Sequence, residues 1–169
     1  METTSPEKKF AELYEQMFIL CKENNWGDPH AYGRAKEIYM ANYLNHIVAP
    51  KLAGADGYED KEMTIPVEYK ATTQKNIQAT YNGISVQETW EKQVEYLLND
   101  KICKYKNHYI ARFEMGKIVE MYKMKCDKVY EYLLPRIKKQ FEKEKKGKDP
   151  RFGVQIPKLY IIKNSEKII

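Results

Sequence analysis

Asp56, Glu68 and Lys70 stand close together in this chain, the last two within Ile65-Pro66-Val67-Glu68-Tyr69-Lys70. Together these residue types can hydrolyse a phosphate ester. Glu-x-Lys on a strand puts both side chains on one face, because side chains alternate with a period of two. Val67 and Tyr69 then face the other way, into the core. The Asp56 and Glu68 carboxylates, with the main-chain carbonyl of Tyr69, supply the hard oxygen ligands that suit Mg²⁺ or Mn²⁺. A cation held there polarises a phosphodiester and acidifies a bound water. Lys70 is placed to orient or help deprotonate that water, or to meet charge developing on the phosphate. The same residues also read as an exposed hairpin edge on which Glu68 and Lys70 form a surface pair of little energetic consequence.

Glu-x-Lys is a short signal, cheap in a chain with runs such as Glu142-Lys143-Glu144-Lys145. Context sets Glu68-Tyr69-Lys70 apart. Asp56 lies in the turn-rich Gly54-Ala55-Asp56-Gly57, and Glu68 has the apolar neighbours of a buried strand. In the segment 30–47, Ala35, Ile38 and Ala41, and Tyr39 and Tyr43, recur at helical spacing around Glu37. Asp28-Pro29 offers that helix an N-cap and a first-turn proline. Glu37 reads equally as a solvated helix glutamate paired with a neighbouring base.

The elements that must position these residues follow from periodicity. An amphipathic helix is predicted over 6–24, with Phe10, Leu13, Tyr14, Met17, Phe18 and Cys21 on one face. After the helix at 30–47 come a short strand holding Asp56 and a strand over 63–71. Residues 76–86 form a further strand or hairpin arm with a turn at Asn82-Gly83. A helix is predicted over 85–103, then strands at 109–114 and 118–124 joined by a tight turn at Met115-Gly116-Lys117. The longest helical pattern covers 126–146, with Pro135 inside it, and Gly147-Lys148-Asp149-Pro150 ends it. Leu159-Tyr160-Ile161-Ile162 reads as a last strand. The alternation gives an α/β domain, a central mixed β-sheet flanked by helices.

With those elements in place, Asp56, Glu68 and Lys70 resemble the motif of the PD-(D/E)XK nuclease superfamily, to which type II restriction endonucleases and many repair and junction-resolving nucleases belong. Ala55 replaces the proline that often precedes the aspartate, a position with no chemical role. The resemblance covers about residues 30–124 and implies a restriction-endonuclease-like αβββαβ core. It also implies that Glu37 enters the site from the preceding helix. The activity implied is Mg²⁺-dependent (Mn²⁺ also serving) endonucleolytic cleavage of double-stranded DNA leaving 5′-phosphate ends. The restriction-like reading stands beside a repair or junction-resolving nuclease and a non-catalytic nucleic-acid-binding module. Gln87, Glu88 and Glu91 on the following helix are weaker candidates, since Gln93-Val94-Glu95-Tyr96 misses the Gln-x-x-x-Tyr spacing of the RecB-like branch by one residue.

At 169 residues and 20.0 kDa the chain suits one domain: an N-terminal helix in 1–29, a catalytic core in 30–124, and a basic helix and final strand in 125–169. A hydrophobic share of 43% with 14 tyrosines argues against disorder. No stretch approaches a membrane span, and Met1-Glu2-Thr3-Thr4-Ser5 lacks the features of a signal peptide, so an intracellular protein is expected. Cys21, Cys103 and Cys126 read as reduced, partly buried thiols, and His30, His46 and His108 as scattered surface residues. Residues 101–151 hold 16 Lys and Arg against 7 Asp and Glu, while the remainder has 13 against 17. A basic half beside an acidic site suits a polyanion, though lysine-rich helices are also often plain soluble faces. Arg112, Tyr105, Asn107, Lys75 and Gln74 are candidates for base contact. Cutting both strands with one site per chain implies a homodimer.

Overall fold

The computed structural model describes residues 5–51, 54–145, 148 and 150–169. The predicted helix end at Lys146, with Gly147 and Asp149 of the predicted break, lies outside the described residues, as do Met1–Thr4.

The central sheet has six strands in the order β1-β2-β3-β5-β6-β8. These are β1 (Ile47–Val48), β2 (Gly57–Tyr58), β3 (Pro66–Thr72), β5 (Asn107–Glu114), β6 (Lys117–Lys125) and β8 (Glu166–Lys167). All neighbours pair antiparallel except β3 and β5, which run parallel with Glu68 opposite His108 and Lys70 opposite Ile110. A parallel pair needs a crossover. Here it runs through β4 (Ala79–Ser85) and α3 (Trp90–Tyr96), which continues as one π-helical turn over Leu97–Lys101. β4 leaves the central sheet and pairs antiparallel with β7 (Arg151–Ile156).

The sheet is covered on both faces. Helix α2 (Arg34–Leu44) packs Met40 and Ala41 against Val67, Tyr69, Tyr109, Ala111, Phe113 and Met121. On the other side, Ile110, Tyr122 and Met124 meet α4 (Cys126–Glu144) through Val129, Leu133, Ile137 and Phe141, together with Tyr81 and Ile84 of β4 and Phe152 and Val154 of β7. The α/β class, the mixed central sheet, the β5–β6 hairpin and the faces of β3 agree with the sequence reading.

Several local expectations are corrected. Asn82-Gly83 is a bulge within β4, where the register shifts between Tyr81 and Ile84, and Gly83 takes φ +69°. It is not a hairpin turn. The predicted strand at 159–162 is part of helix α5 (Lys158–Asn164), which follows Pro157 in the N-cap position. Four apolar residues in a row do not tell strand from helix. Helix α1 (Pro6–Glu23) forms as predicted, with Ser5 accepting from the Lys8 N–H, yet Cys21 is its one buried residue. Residues from 125 onward are woven into the fold through β7 and β8. No helix among the described residues is long and apolar enough to cross a membrane.

Candidate active site

The site lies where β2 stops and β3 continues. β2 pairs with β3 only at Gly57↔Val67 and Tyr58↔Pro66. Just before it, the Asp56 N–H donates to the Val67 carbonyl at 3.2 Å, and Asp56 Oδ2 accepts the Tyr69 N–H at 2.7 Å. The aspartate side chain thus satisfies a strand group that a longer β2 would have taken. The approach is close: a Cβ on Gly57 would fall 2.6 Å from Tyr69 Oη and 3.0 Å from the Ile47 carbonyl.

Val67 and Tyr69 point to the α2 side, and the period of two sends Glu68 and Lys70 to the β4 side, where they form an ion pair. Their side chains are 16% and 22% exposed, which removes the surface-edge reading of this pair. Lys70 Nζ lies 5.1 Å from the centre of the Tyr81 ring. Tyr81 Oη is 3.0 Å from His108 Nδ1, and His108 Nε2 is 3.1 Å from the Ile102 carbonyl. A carbonyl only accepts, so Nε2 carries the proton and Nδ1 accepts from the tyrosine. Burial pushes the imidazole down to about 4, leaving it neutral at physiological pH. His108 is therefore a fully buried support behind Lys70, not a surface residue. His46 is likewise half-buried, with Nδ1 2.9 Å from Tyr69 Oη.

Glu37 arrives from the first turn of α2. Gly33, at φ +90°, turns the chain into that helix, and Arg34 fixes its position. The Arg34 guanidinium donates to the carbonyls of Trp26 at 2.8 Å, Ala49, and Asp56 at 3.5 Å, and it meets Glu37 Oε2 at 3.1 Å. One arginine thus ties α2 to the loops bearing Asp56.

Asp56, Glu68, Lys70 and Glu37 all line one cavity of about 340 Å³, with Tyr32, Gly33, Lys36, Tyr69, Ala71 and Thr80. Burial raises the Asp56 carboxyl to about 7, helped by the Glu68 and Glu37 charges and opposed by the Tyr69 N–H and Lys70. Burial also raises Glu37, against the pull of Arg34. For Lys70, burial works against the charge, but Glu68, Asp56 and Glu37 outweigh it and the ammonium ends above its ordinary value. Crowded carboxylates around one lysine are a functional-site signature.

A second cavity of about 420 Å³ shares Tyr32, Glu37 and Asp56 and extends past Trp26, Arg34 and Lys51. A larger one, about 860 Å³, lies beside the β5–β6 turn and shares only Lys36 with the site. Its lining carries Lys75 and Arg112, the latter paired with Glu114 and Glu120. Two other base-contact candidates have structural partners. Tyr105 donates to the Gly54 carbonyl, and Asn107 to Glu59 at 2.6 Å. Gln93 is buried and bridges Gln87 and Ser85, while Glu88 is exposed and pairs with Lys92. Lys106, Lys123, Lys125 and Lys128 border a separate cavity with Glu59, Asp127 and Glu166. Arg34, Tyr32, Tyr81 and Thr80 went unnoticed in the sequence; Gly33-Arg34 ahead of an apolar helix was the available cue for the first.

Among the described residues, no set of three or more His, Cys, Asp and Glu side chains closes into a cage for a metal ion. The donors facing the cavity are nonetheless all hard oxygens, and a divalent cation would relieve the Glu68 and Glu37 repulsion that adds to burial in raising Asp56. Asp56 and Glu68 fit such an ion, with the remaining positions left to main-chain oxygen and water. Compared with protein-family models and with the sequences of curated proteins, the chain matches none.

Proposed function

We propose that this chain is a divalent-metal-dependent endodeoxyribonuclease with a restriction-endonuclease-like core, hydrolysing phosphodiesters of double-stranded DNA and leaving 5′-phosphate ends. One observation carries the reading: Asp56, Glu68, Lys70 and Glu37, from three separate segments, line the same cavity. The helix–strands–helix–strand order around β3, with β3 parallel to β5, supports the fold assignment.

Mg²⁺ or Mn²⁺, held by Asp56, Glu68 and the Tyr69 carbonyl, would supply Lewis-acid polarisation and an acidified water. The strand geometry favours that carbonyl, because a residue's N–H and C=O project to the same side and the Tyr69 N–H already points at Asp56. Lys70 stays protonated, since its neighbours raise it. Its role is to donate to a non-bridging phosphate oxygen as charge builds, not to act as a base. Glu37, gripped by Arg34, is placed to receive the proton lost by the attacking water. Water adds to phosphorus, the bond to the 3′-oxygen breaks, that oxygen takes a proton from solvent water and leaves as a 3′-hydroxyl, and the phosphate stays on the 5′ end. His108 and Tyr81 form the neutral floor that keeps Lys70 turned toward Glu68.

A non-catalytic nucleic-acid-binding module is the second reading, favoured by the lysines around Lys106, Lys123, Lys125 and Lys128, which stand apart from the cavity. Incubation with supercoiled plasmid in Mg²⁺ and in EDTA separates the two. Nicked or linear products in Mg²⁺ alone, with 5′-phosphate ends, are expected. Discrete fragments indicate a site-specific enzyme and a smear a structure-specific or nonspecific one. Retardation of DNA without any cleavage, in Mg²⁺ or Mn²⁺, overturns the nuclease reading.

A further inference from the structure

The candidate active site is the middle of three connected cavities. The cavity of about 420 Å³ shares Tyr32, Glu37 and Asp56 with it and the cavity of about 860 Å³ shares Lys36, while these two have no described lining residue in common. Together they form one trough that passes through the site. Tyr32, Lys36 and Tyr39 follow it at spacings of four and three, which places them on one face of α2 and the turn before it. Tyr32 is fully exposed at φ +50°, a left-handed backbone that a bulky residue keeps only where its surroundings hold it there. Tyr39 is 42% exposed, its ring edge-on to Phe113 at 5.7 Å.

An intact duplex is read through its base edges, most often by an arginine fork in the groove. Both arginines along the trough are already engaged, Arg34 by main-chain carbonyls and Glu37, and Arg112 by Glu114 and Glu120. The groups left to meet a ligand are rings and lysines. Lys51 lines one outer cavity, Lys75 the other, and Lys36 the junction, and none of the three forms an ion pair among the described residues. A ring needs the flat face of a base, which a stacked base pair hides. Exposed rings interleaved with cations suit a single strand, whose bases stack on aromatic side chains while its phosphates follow the positive charge.

We propose that the trough takes an unpaired DNA strand, its bases stacking on Tyr32 and Tyr39 and the phosphate between them drawn to Lys36. The proposal rests on the nuclease reading and narrows its substrate. The strand that meets Asp56, Glu68 and Lys70 is locally single-stranded, as at a flap, a fork or a frayed end of otherwise double-stranded DNA.

Fluorescence anisotropy in Ca²⁺ should show labelled oligothymidine of roughly 20 nucleotides binding about 10-fold or more tighter than a blunt duplex of the same length. Tyr32→Ala and Tyr39→Ala should each weaken the oligothymidine about 10-fold, the worth of one stacked base. Tyr32→Phe and Tyr39→Phe keep the ring and should bind like wild type. Lys36→Gln should lower the slope of log affinity against log salt by about 0.7. A duplex bound as tightly as the single strand, or alanine variants that bind like the phenylalanine ones, overturns the trough. Cleavage in Mg²⁺ reads the nuclease separately. Ring-dependent single-strand binding by a protein that never cuts upholds the trough and overturns the nuclease reading alone, whereas cutting a blunt duplex as fast as a forked one upholds the nuclease and overturns the unpaired substrate.

Discussion

Replacing Asp56 by asparagine should make the metal-free protein more stable at alkaline pH. Native Asp56 titrates at about 7, against 3.8 for an ordinary aspartate, with burial as the main cause and the Glu68 and Glu37 charges behind it. Below about pH 4 the carboxyl is protonated folded or unfolded and carries no penalty. Between 4 and 7 the unfolded chain has released a proton that the native state keeps, so stability falls as pH rises, and by pH 8 the full cost is present. At about 1.36 kcal/mol per tenfold step, the cost is about 4 kcal/mol. Asparagine never ionises, and its Oδ1 can accept the Tyr69 N–H that Asp56 Oδ2 now takes at 2.7 Å. Urea denaturation in EDTA should therefore show Asp56→Asn about equal to wild type at pH 4 and more stable by up to about 4 kcal/mol at pH 8, roughly 10 °C in Tm for a chain of this size. Added Mg²⁺ should narrow the gap by stabilising wild type more than the variant. A variant no better than wild type at pH 8 would refute the claim that Asp56 is held under electrostatic stress.

Lys70→Met should lower the rate of DNA cleavage by about 10²-fold, about 2.7 kcal/mol of transition-state stabilisation, with DNA binding retained; single-turnover cleavage within a few-fold of wild type would remove Lys70 from the chemistry. Asp56→Ala should bind DNA in Ca²⁺ without cutting it, with affinity falling linearly on a log–log plot against salt, and binding indifferent to salt would point away from a phosphate-tracking surface. Calorimetric titration of the Asp56→Asn, Glu68→Gln protein with Mn²⁺ should show no binding at the site, and wild-type binding by this double variant would place the metal elsewhere. Gly57→Ala should cost about 2 kcal/mol in denaturant, since its Cβ would sit 2.6 Å from Tyr69 Oη; an unchanged midpoint would mean that the β1–β2–β3 corner yields freely.

How much was legible in the sequence varied with the physics of each signal. The faces of β3 were readable because Val67-Glu68-Tyr69-Lys70 alternates in chemistry as it does in space. The β5–β6 hairpin announced itself through Met115-Gly116. What failed were features set by distant partners. Asn82-Gly83 has the composition of a tight turn, yet β7 holds the chain straight through it as a bulge. His108 looks like any strand histidine until Tyr81 and the Ile102 carbonyl satisfy both ring nitrogens. Amphipathicity in α1 told that a helix forms but not that its apolar stripe would lie open. Of the candidate site, Asp56, Glu68 and Lys70 could be named from spacing, and Glu37 from the resemblance. Their convergence on one cavity, and the grip of Arg34 on three carbonyls, could not.

The pairing of β4 with β7 also sets an order in time. All five acidic and basic residues of the cavity are in place in the chain by Lys70, and Thr80 and Tyr81 follow on β4. β4 has no partner in its own sheet until β7 has been made, after β5, β6 and α4. A ribosome adding roughly 5–20 residues per second leaves an interval of several seconds in which the charged groups exist but the strand backing Lys70 hangs unpaired. The nascent chain carries the charged groups of the cavity before it carries the strand that pairs with the wall behind Lys70, so the cavity is assembled only once β7 has joined β4.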